Sequence, residues 1–162
     1  MAAGRLPCTL GILVASVAHI FLASARGAPM ASVTSVEALA DRGLAGDRYA
    51  ESKNRPSPDY QVTLIELENV EAFVASTGLT LTPEQPRRNI VTRGINLNSL
   101  CGKRFKVGAA LFEGLELCEP CSLFAKRTNR EALRFFVGRG GLRARIVTGA
   151  ELRVGDRVVE DA

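Results

Sequence analysis

Phe105-Lys106-Val107-Gly108, followed by Ala110 to Leu117, reads as a strand, a tight turn and a second, longer strand. Leu152-Arg153-Val154-Gly155 echoes it near the C-terminus. Each segment is expected to bring a strand to a turn and back, as in a small barrel. Working outward, Gln61 to Ile65, Asn89 to Thr92 and Leu142 to Thr148 read as further strands, with Val154 to Val159 closing the domain. Val33 to Ala40 reads as another short strand. Glu66 to Ser76 carries Leu67, Val70 and Val74 at helical spacing, with Gly78 placed to end the helix. Asn129 to Val137 also reads as helical, broken by Gly138, Gly140 and Gly141. Asp41 to Tyr60, rich in Gly, Pro, Ser and Asn, reads as a long loop of the kind that often carries function. The sum is mainly β: a β-rich α+β chain with about two helices.

The chain has 162 residues and a net charge of +4, with 46% hydrophobic and 23% charged residues. That is the balance of one globular domain rather than of a disordered chain. Trp is absent and Phe and Tyr are few, so stacking platforms for nucleic acid are scarce and nucleic acid is not the expected partner. The cysteines are Cys8, Cys101, Cys118 and Cys121, too few for a disulfide framework in a chain of this size, and reduced thiols in the cytoplasm fit best. Leu10 to Ala25 supports two readings from composition. One is a secretory signal peptide within residues 1–25, which would make the protein exported. The other is a buried first strand, Gly11 to Ala18, leading to a turn at Gly27 to Met30. The run is too short and too interrupted for a transmembrane helix, and no membrane partner is expected.

Leu117-Cys118-Glu119-Pro120-Cys121-Ser122 concentrates the chemistry. Two thiols stand at the end of an apolar run and just ahead of helix-compatible sequence, a junction whose N–H groups favour a thiolate. A structural zinc site would need a second such pair, which Cys8, Cys101 and the single histidine, His19, do not supply. A thioredoxin-like dithiol would need a βαβ setting. A third reading makes Cys121 the functional thiolate with Cys118 as its buried or resolving neighbour. Two core cysteines without chemistry complete the alternatives.

The arginines come next. Arg87-Arg88-Asn89 precedes a strand and Arg93-Gly94 follows it. Arginine pairs bidentately with phosphate, while Asn89 suits either a heterocycle edge or a loop anchor. Gly138-Arg139-Gly140-Gly141-Leu142-Arg143 is either an anion-binding nest with Arg143 beside it or a helix stop followed by a turn. Gly43 to Tyr49 permits a tight turn that projects Asp47 and Arg48. His19 lies in an apolar run without a nucleophile elbow, which argues against Ser-His-Asp catalysis, and no phosphate-binding P-loop or dinucleotide fingerprint is present.

In order, Gly27 to Met30, Gly43 to Tyr49, Gln61 to Glu66, Arg87 to Ile90, Gly102 to Phe105, Leu117 to Cys121, Gly141 to Ala144 and Val154 to Asp156 resemble the MOSC domain, named after the C-terminal part of molybdenum cofactor sulfurase. The resemblance is to the short, stand-alone bacterial type. It favours the strand reading of the N-terminal run, leaves residues 1–9 as an unmatched extension and makes 10–162 a single MOSC-like domain. It implies a β-rich barrel with a few peripheral helices. It also implies binding of the molybdenum cofactor (molybdopterin), a pterin dithiolene carrying a phosphate. Cys121 matches the family cysteine, which ligates molybdenum in relatives that reduce N-hydroxylated compounds and is proposed to carry a persulfide in others. Cys121 and Asp47 are then the candidate catalytic residues, with Cys121 the metal ligand. Arg48, Arg87, Arg88, Asn89 and Arg143 are the candidate cofactor-binding residues. The implied partners are a small-molecule substrate and a separate electron-donor or sulfur-donor protein. Pyridoxal phosphate is not expected: in the full-length sulfurase it belongs to a separate desulfurase domain, and no lysine here stands in a recognisable Schiff-base setting. The resulting hypotheses are an N–O reductase, a Cys121 persulfide carrier, a Cys118–Cys121 dithiol oxidoreductase and a cofactor-free domain.

Overall fold

The computed structural model describes residues 14–53 and 57–162. In chain order the strands are β1 (Ser16–Leu22), β2 (Ala31–Val33), β3 (Ser35–Leu39), β4 (Gly43–Leu44), β5 (Val62–Glu66), β6 (Ile90–Arg93), β7 (Arg104–Val107), β8 (Ala110–Leu117), β9 (Leu142–Thr148), β10 (Ala150–Arg153) and β11 (Val158–Glu160). The helices are α1 (Leu67–Thr77), α2 (Ser122–Arg127) and α3 (Arg130–Phe135). Eight strands form one mixed sheet in the order β11-β7-β8-β9-β5-β6-β1-β2, and β10-β3-β4 form a second. The chain is mainly β, as its pattern predicts.

Of the two readings of the apolar N-terminal run, the fold uses the strand, shifted to Ser16–Leu22 and hydrogen-bonded between β6 and β2. Residues 11–13 of the expected strand, and the unmatched residues 1–9 with Cys8, lie outside the described residues. The central strands are covered on both faces. Ile20, Leu64 and Ile90 join a core with Phe105, Phe112 and Ile146. Their chain neighbours Phe21, Ile65 and Val91 point the other way, into a second core with Phe73, Phe124 and Phe136 from the helices. Successive strand residues alternate faces, so a strand apolar at every position needs a cover on each side. The second sheet contributes Val36, Ala38 and Leu152 to the first core.

The β7–β8 hairpin has the expected register, Val107 opposite Ala110 and Phe105 opposite Phe112. The C-terminal echo is used differently. β10 pairs with β3, whereas β11 pairs with β7 in the other sheet, so the turn at Val154-Gly155 passes the chain between sheets rather than back along itself. Val33 to Ala40 divides in the same manner: β2 pairs with β1, and β3 with β10 and β4. Among the described residues no continuous ladder closes the expected barrel. The ends of the large sheet approach one another through the Ser16–Arg157 bridge. Val17 N–H donates to the Asp156 carbonyl at 2.9 Å, and Gly155 N–H donates to the Val17 carbonyl at 2.8 Å.

α1 ends where Gly78 takes φ +70° and donates its N–H to the Val74 carbonyl. It links the parallel strands β5 and β6, giving one βαβ unit, but the cysteine pair lies elsewhere, between β8 and α2. No helix among the described residues is long and apolar enough to cross a membrane.

Candidate functional site

β8 ends at Leu117 and α2 begins at Ser122, which places the two thiols in different surroundings. Cys118 is buried; its N–H donates to the Gly141 carbonyl at 2.7 Å and its carbonyl accepts from Arg88 Nη2 at 3.3 Å. Cys121 is exposed and is the N-cap residue of α2. Its thiol makes no full capping hydrogen bond, yet it sits beside the Phe124 and Leu123 N–H groups. The Phe124 N–H is the main influence lowering its pKa below the ordinary thiol value; partial burial opposes this, while the Leu123 N–H and the Arg88 charge assist. Alkylation of Cys121 followed against pH should therefore reach its plateau at lower pH than an ordinary thiol. Because the charged form is the one favoured, reactivity persists as pH falls and is lost only below the depressed pKa. A pH profile matching a free thiol would refute this.

Arg88 is an internal brace. Its Nε donates to the Gly140 carbonyl at 2.8 Å and Nη1 to the Pro86 carbonyl at 3.0 Å, in addition to the bond to Cys118, and its guanidinium lies 5.6 Å from the Phe124 ring centroid. It joins the cysteine segment to the glycine loop and lends positive charge to Cys121. The glycine loop is a close-packing device: a Cβ on Gly140 would lie 2.1 Å from the Cys118 carbonyl oxygen, and one on Gly141 1.9 Å from that of Leu64.

A cleft of about 770 Å³ opens beside α2. Arg26, Arg48, Arg87 and Arg143 line it with Tyr49 and Tyr60, and Glu51 is its one acidic lining residue. Leu123 of α2 also lines it; Cys121, two residues earlier, does not. Arg87 adopts φ +61° and donates Nη1 to the Ala28 carbonyl at 2.7 Å. Arg48 donates Nη2 to the Tyr49 hydroxyl at 3.0 Å. Arg48 Nη1 and Arg87 Nη2 are buried with no hydrogen-bond partner among the described residues. Burial, then the nearby charges of Arg127 and Arg48, pull the Arg87 pKa below its ordinary value. Like charges gathered with donors unfilled favour an anion. Arg143 lies 5.2 Å from the Tyr60 ring centroid and pairs with Glu116 at 3.5 Å.

Asp47 and Asn89 stand inside the protein rather than in the cleft lining. Asp47 Oδ2 accepts from Ala23 N–H at 2.9 Å and Asn89 Nδ2 at 3.1 Å, and Oδ1 accepts from Tyr49 N–H at 3.2 Å. Asn89 Oδ1 accepts from the Thr63 N–H and hydroxyl, both at 3.2 Å, and Nδ2 also donates to the Phe21 carbonyl at 3.1 Å. The structure thus brings Arg48, Arg87 and Arg143 together in the cleft and leaves Cys121, Asp47, Arg88 and Asn89 out of its lining. Sequence reasoning missed Arg26, Tyr49 and Tyr60 in the lining, and also Arg127, which lies outside it, acts on Arg87 by charge and donates Nη2 to the Gly27 carbonyl at 2.9 Å. A signal existed for the tyrosines: they are the chain's full complement of two, and both fall within the long loop. Among the described residues no cluster of three or more His, Cys, Asp or Glu side chains forms a metal site.

The sequence model of the MOSC domain matches residues 51–159. The chain belongs to the MOSC family. The matched span of the MOSC domain includes Arg87, Arg88, Asn89, Cys121 and Arg143, and begins after Asp47 and Arg48. The YuaD protein of Bacillus subtilis superposes with a TM-score of 0.77 at 15% identity, over 93% of this chain and 97% of that one. YiiM of Geobacillus stearothermophilus gives 0.69 at 16% identity, over 91% and 75% of the two chains. YiiM of Escherichia coli gives 0.66 at 15%, over 91% and 70%. At such identities these neighbours share the MOSC fold, and nothing about substrate passes from them. A search of curated protein sequences found no match.

Proposed function

We propose that this MOSC protein binds the molybdenum cofactor in the arginine-lined cleft, with Cys121 as a thiolate ligand to the metal. The observation that carries the reading is the pair of buried, unpartnered guanidinium nitrogens, Arg48 Nη1 and Arg87 Nη2, which belong to residues of one cleft. Their chemistry fits the phosphate of a phosphorylated pterin, and a thiolate fits a soft metal. Arg48 and Arg87 would hold the phosphate, and Arg143 would add positive charge at the same wall. The first N–H groups of α2, which lower the Cys121 pKa, would favour its thiolate form. Arg88, spent on three carbonyls, would fix the turn that presents the cysteine. Asp47 and Asn89 would act from within by holding the segment that carries Arg48 and Tyr49. The cofactor, when bound, would supply two-electron reduction of an N–O substrate, with electrons from a separate donor protein.

The test is molybdenum per chain in protein made in a cofactor-competent host. Near-stoichiometric metal is expected in the wild type and its loss in Cys121→Ala. Metal absent from the wild type would defeat the reading. One observation favours a second reading, a Cys121 persulfide that delivers sulfur: the thiol is exposed and outside the cleft lining. Cyanolysable sulfur that disappears in Cys121→Ala, without molybdenum in either protein, would select it.

A further inference from the structure

We infer that Tyr49 and Tyr60 are the positioning residues of the cleft, each pinning one of the guanidiniums presented to the ligand, and that the Tyr49 hydroxyl adds a further donor to the anion held there. This rests on reading the cleft as an anion site.

The Arg48 guanidinium lies 4.3 Å from the Tyr49 ring centroid while its Nη2 donates to the Tyr49 hydroxyl at 3.0 Å. One ring therefore holds Arg48 twice, by its face and by its oxygen. A freely rotating arginine would lose most of its side-chain entropy on meeting a ligand; a pinned one has already lost it. Arg143 is held against Tyr60 by the same kind of face contact, at 5.2 Å. The two rings stand 6.1 Å apart, tilted by 44°, so the two tyrosine–arginine pairs form one continuous arrangement. Tyr49 is itself anchored, since its N–H donates to buried Asp47. That gives Asp47 a route to the cleft without touching a ligand.

The Tyr49 hydroxyl accepts the Arg48 bond through its oxygen, which leaves its proton to be donated to a ligand. A hydroxyl already accepting from a cation is a better donor. It lines the same cleft as Arg48 and Arg87, whose Nη1 and Nη2 are buried without a hydrogen-bond partner among the described residues, so the three can donate to one anion.

The chain has two tyrosines and no tryptophan, and both tyrosines line the cleft. Its intrinsic emission therefore reports on this site. The experiment titrates inorganic phosphate into wild type, Tyr49→Phe, Tyr49→Leu, Tyr60→Phe and Tyr60→Leu, following tyrosine emission; each variant keeps one tyrosine as reporter. Wild type should show a saturable change. Tyr49→Phe, which keeps the stack but loses the hydroxyl, should bind about tenfold more weakly, and Tyr49→Leu no better. Tyr60→Phe should stay within about twofold of wild type, because the ring face is retained, whereas Tyr60→Leu should weaken binding. Rescue by phenylalanine at 60 but not at 49 separates positioning from a general loss of structure. A linear, collisional response in wild type, or unchanged affinity in Tyr49→Phe, overturns the inference. Molybdenum content, measured on the same proteins, is independent of it. Metal retained with unchanged phosphate affinity in Tyr49→Phe defeats the positioning role alone. Saturable, Tyr49-dependent phosphate binding in a wild type that holds no metal defeats the cofactor reading alone.

Discussion

Asn89→Ala should destabilise the protein by about 3 kcal/mol or more, with no ligand present. The side chain fills its hydrogen-bonding positions from three directions: β5 through the Thr63 N–H and hydroxyl, β1 through the Phe21 carbonyl, and the Asp47 carboxylate. Removing it strands the Phe21 carbonyl and takes from Asp47 one of its three donors. Asp47 is fully buried, and a buried carboxylate short of a donor is the costly member of the set. For a chain of this length the loss corresponds to a fall in Tm of about 6–12 °C. Asn89→Asp should be worse, since it sets a second carboxylate where the amide now donates to the first. Thermal unfolding of the cofactor-free protein checks both. An Asn89→Ala protein as stable as wild type would mean that the residue is kept for ligand contact rather than as a brace.

That prediction shows where sequence reading stops. Arg87-Arg88-Asn89 is legible as a polar cluster, but only Arg87 of the three lines the cleft. Which of the three faces solvent is not legible, because it depends on what lies above and below a single turn. Arg87 turns to the cleft from a left-handed backbone position, Arg88 turns back onto three carbonyls, and Asn89 enters the core. Residue type set the chemistry; long-range packing assigned the roles. The fold divides in the same way. The hairpin of β7 and β8 and the cap of α1 at Gly78 are local events, readable from turn residues and periodicity. The sorting of β10 and β11 into different sheets is decided by partners far away in sequence, β3 and β7, which a four-residue echo does not encode. The setting of Cys121 is readable because a strand end followed by a helix start is local too.

Gly141→Ala should be the most damaging single-methyl change near the cysteines, at roughly 3–6 kcal/mol. Two costs combine. Gly141 holds φ +110°, outside the range of an ordinary side chain. Its Cβ would also lie 1.9 Å from the Leu64 carbonyl oxygen, on a strand buried on both faces. Neither the loop nor β5 can yield readily: Gly141 accepts from Cys118 N–H at 2.7 Å, and Leu64 pairs with Leu142 across the ladder. Gly138→Ala is the control. It shares a left-handed φ of +71° but meets nothing within 4 Å, so only the backbone cost of about 1–2 kcal/mol applies. Urea unfolding midpoints should separate the two variants clearly. Equal midpoints would show that the chain relaxes around position 141, and the loop would then be a simple helix stop. A large difference identifies the loop as the strut that fixes Cys118, and through Pro120 and α2 the orientation of Cys121, against β5. The exposed thiol would then be held in place by a contact that leaves no room for even one methyl group.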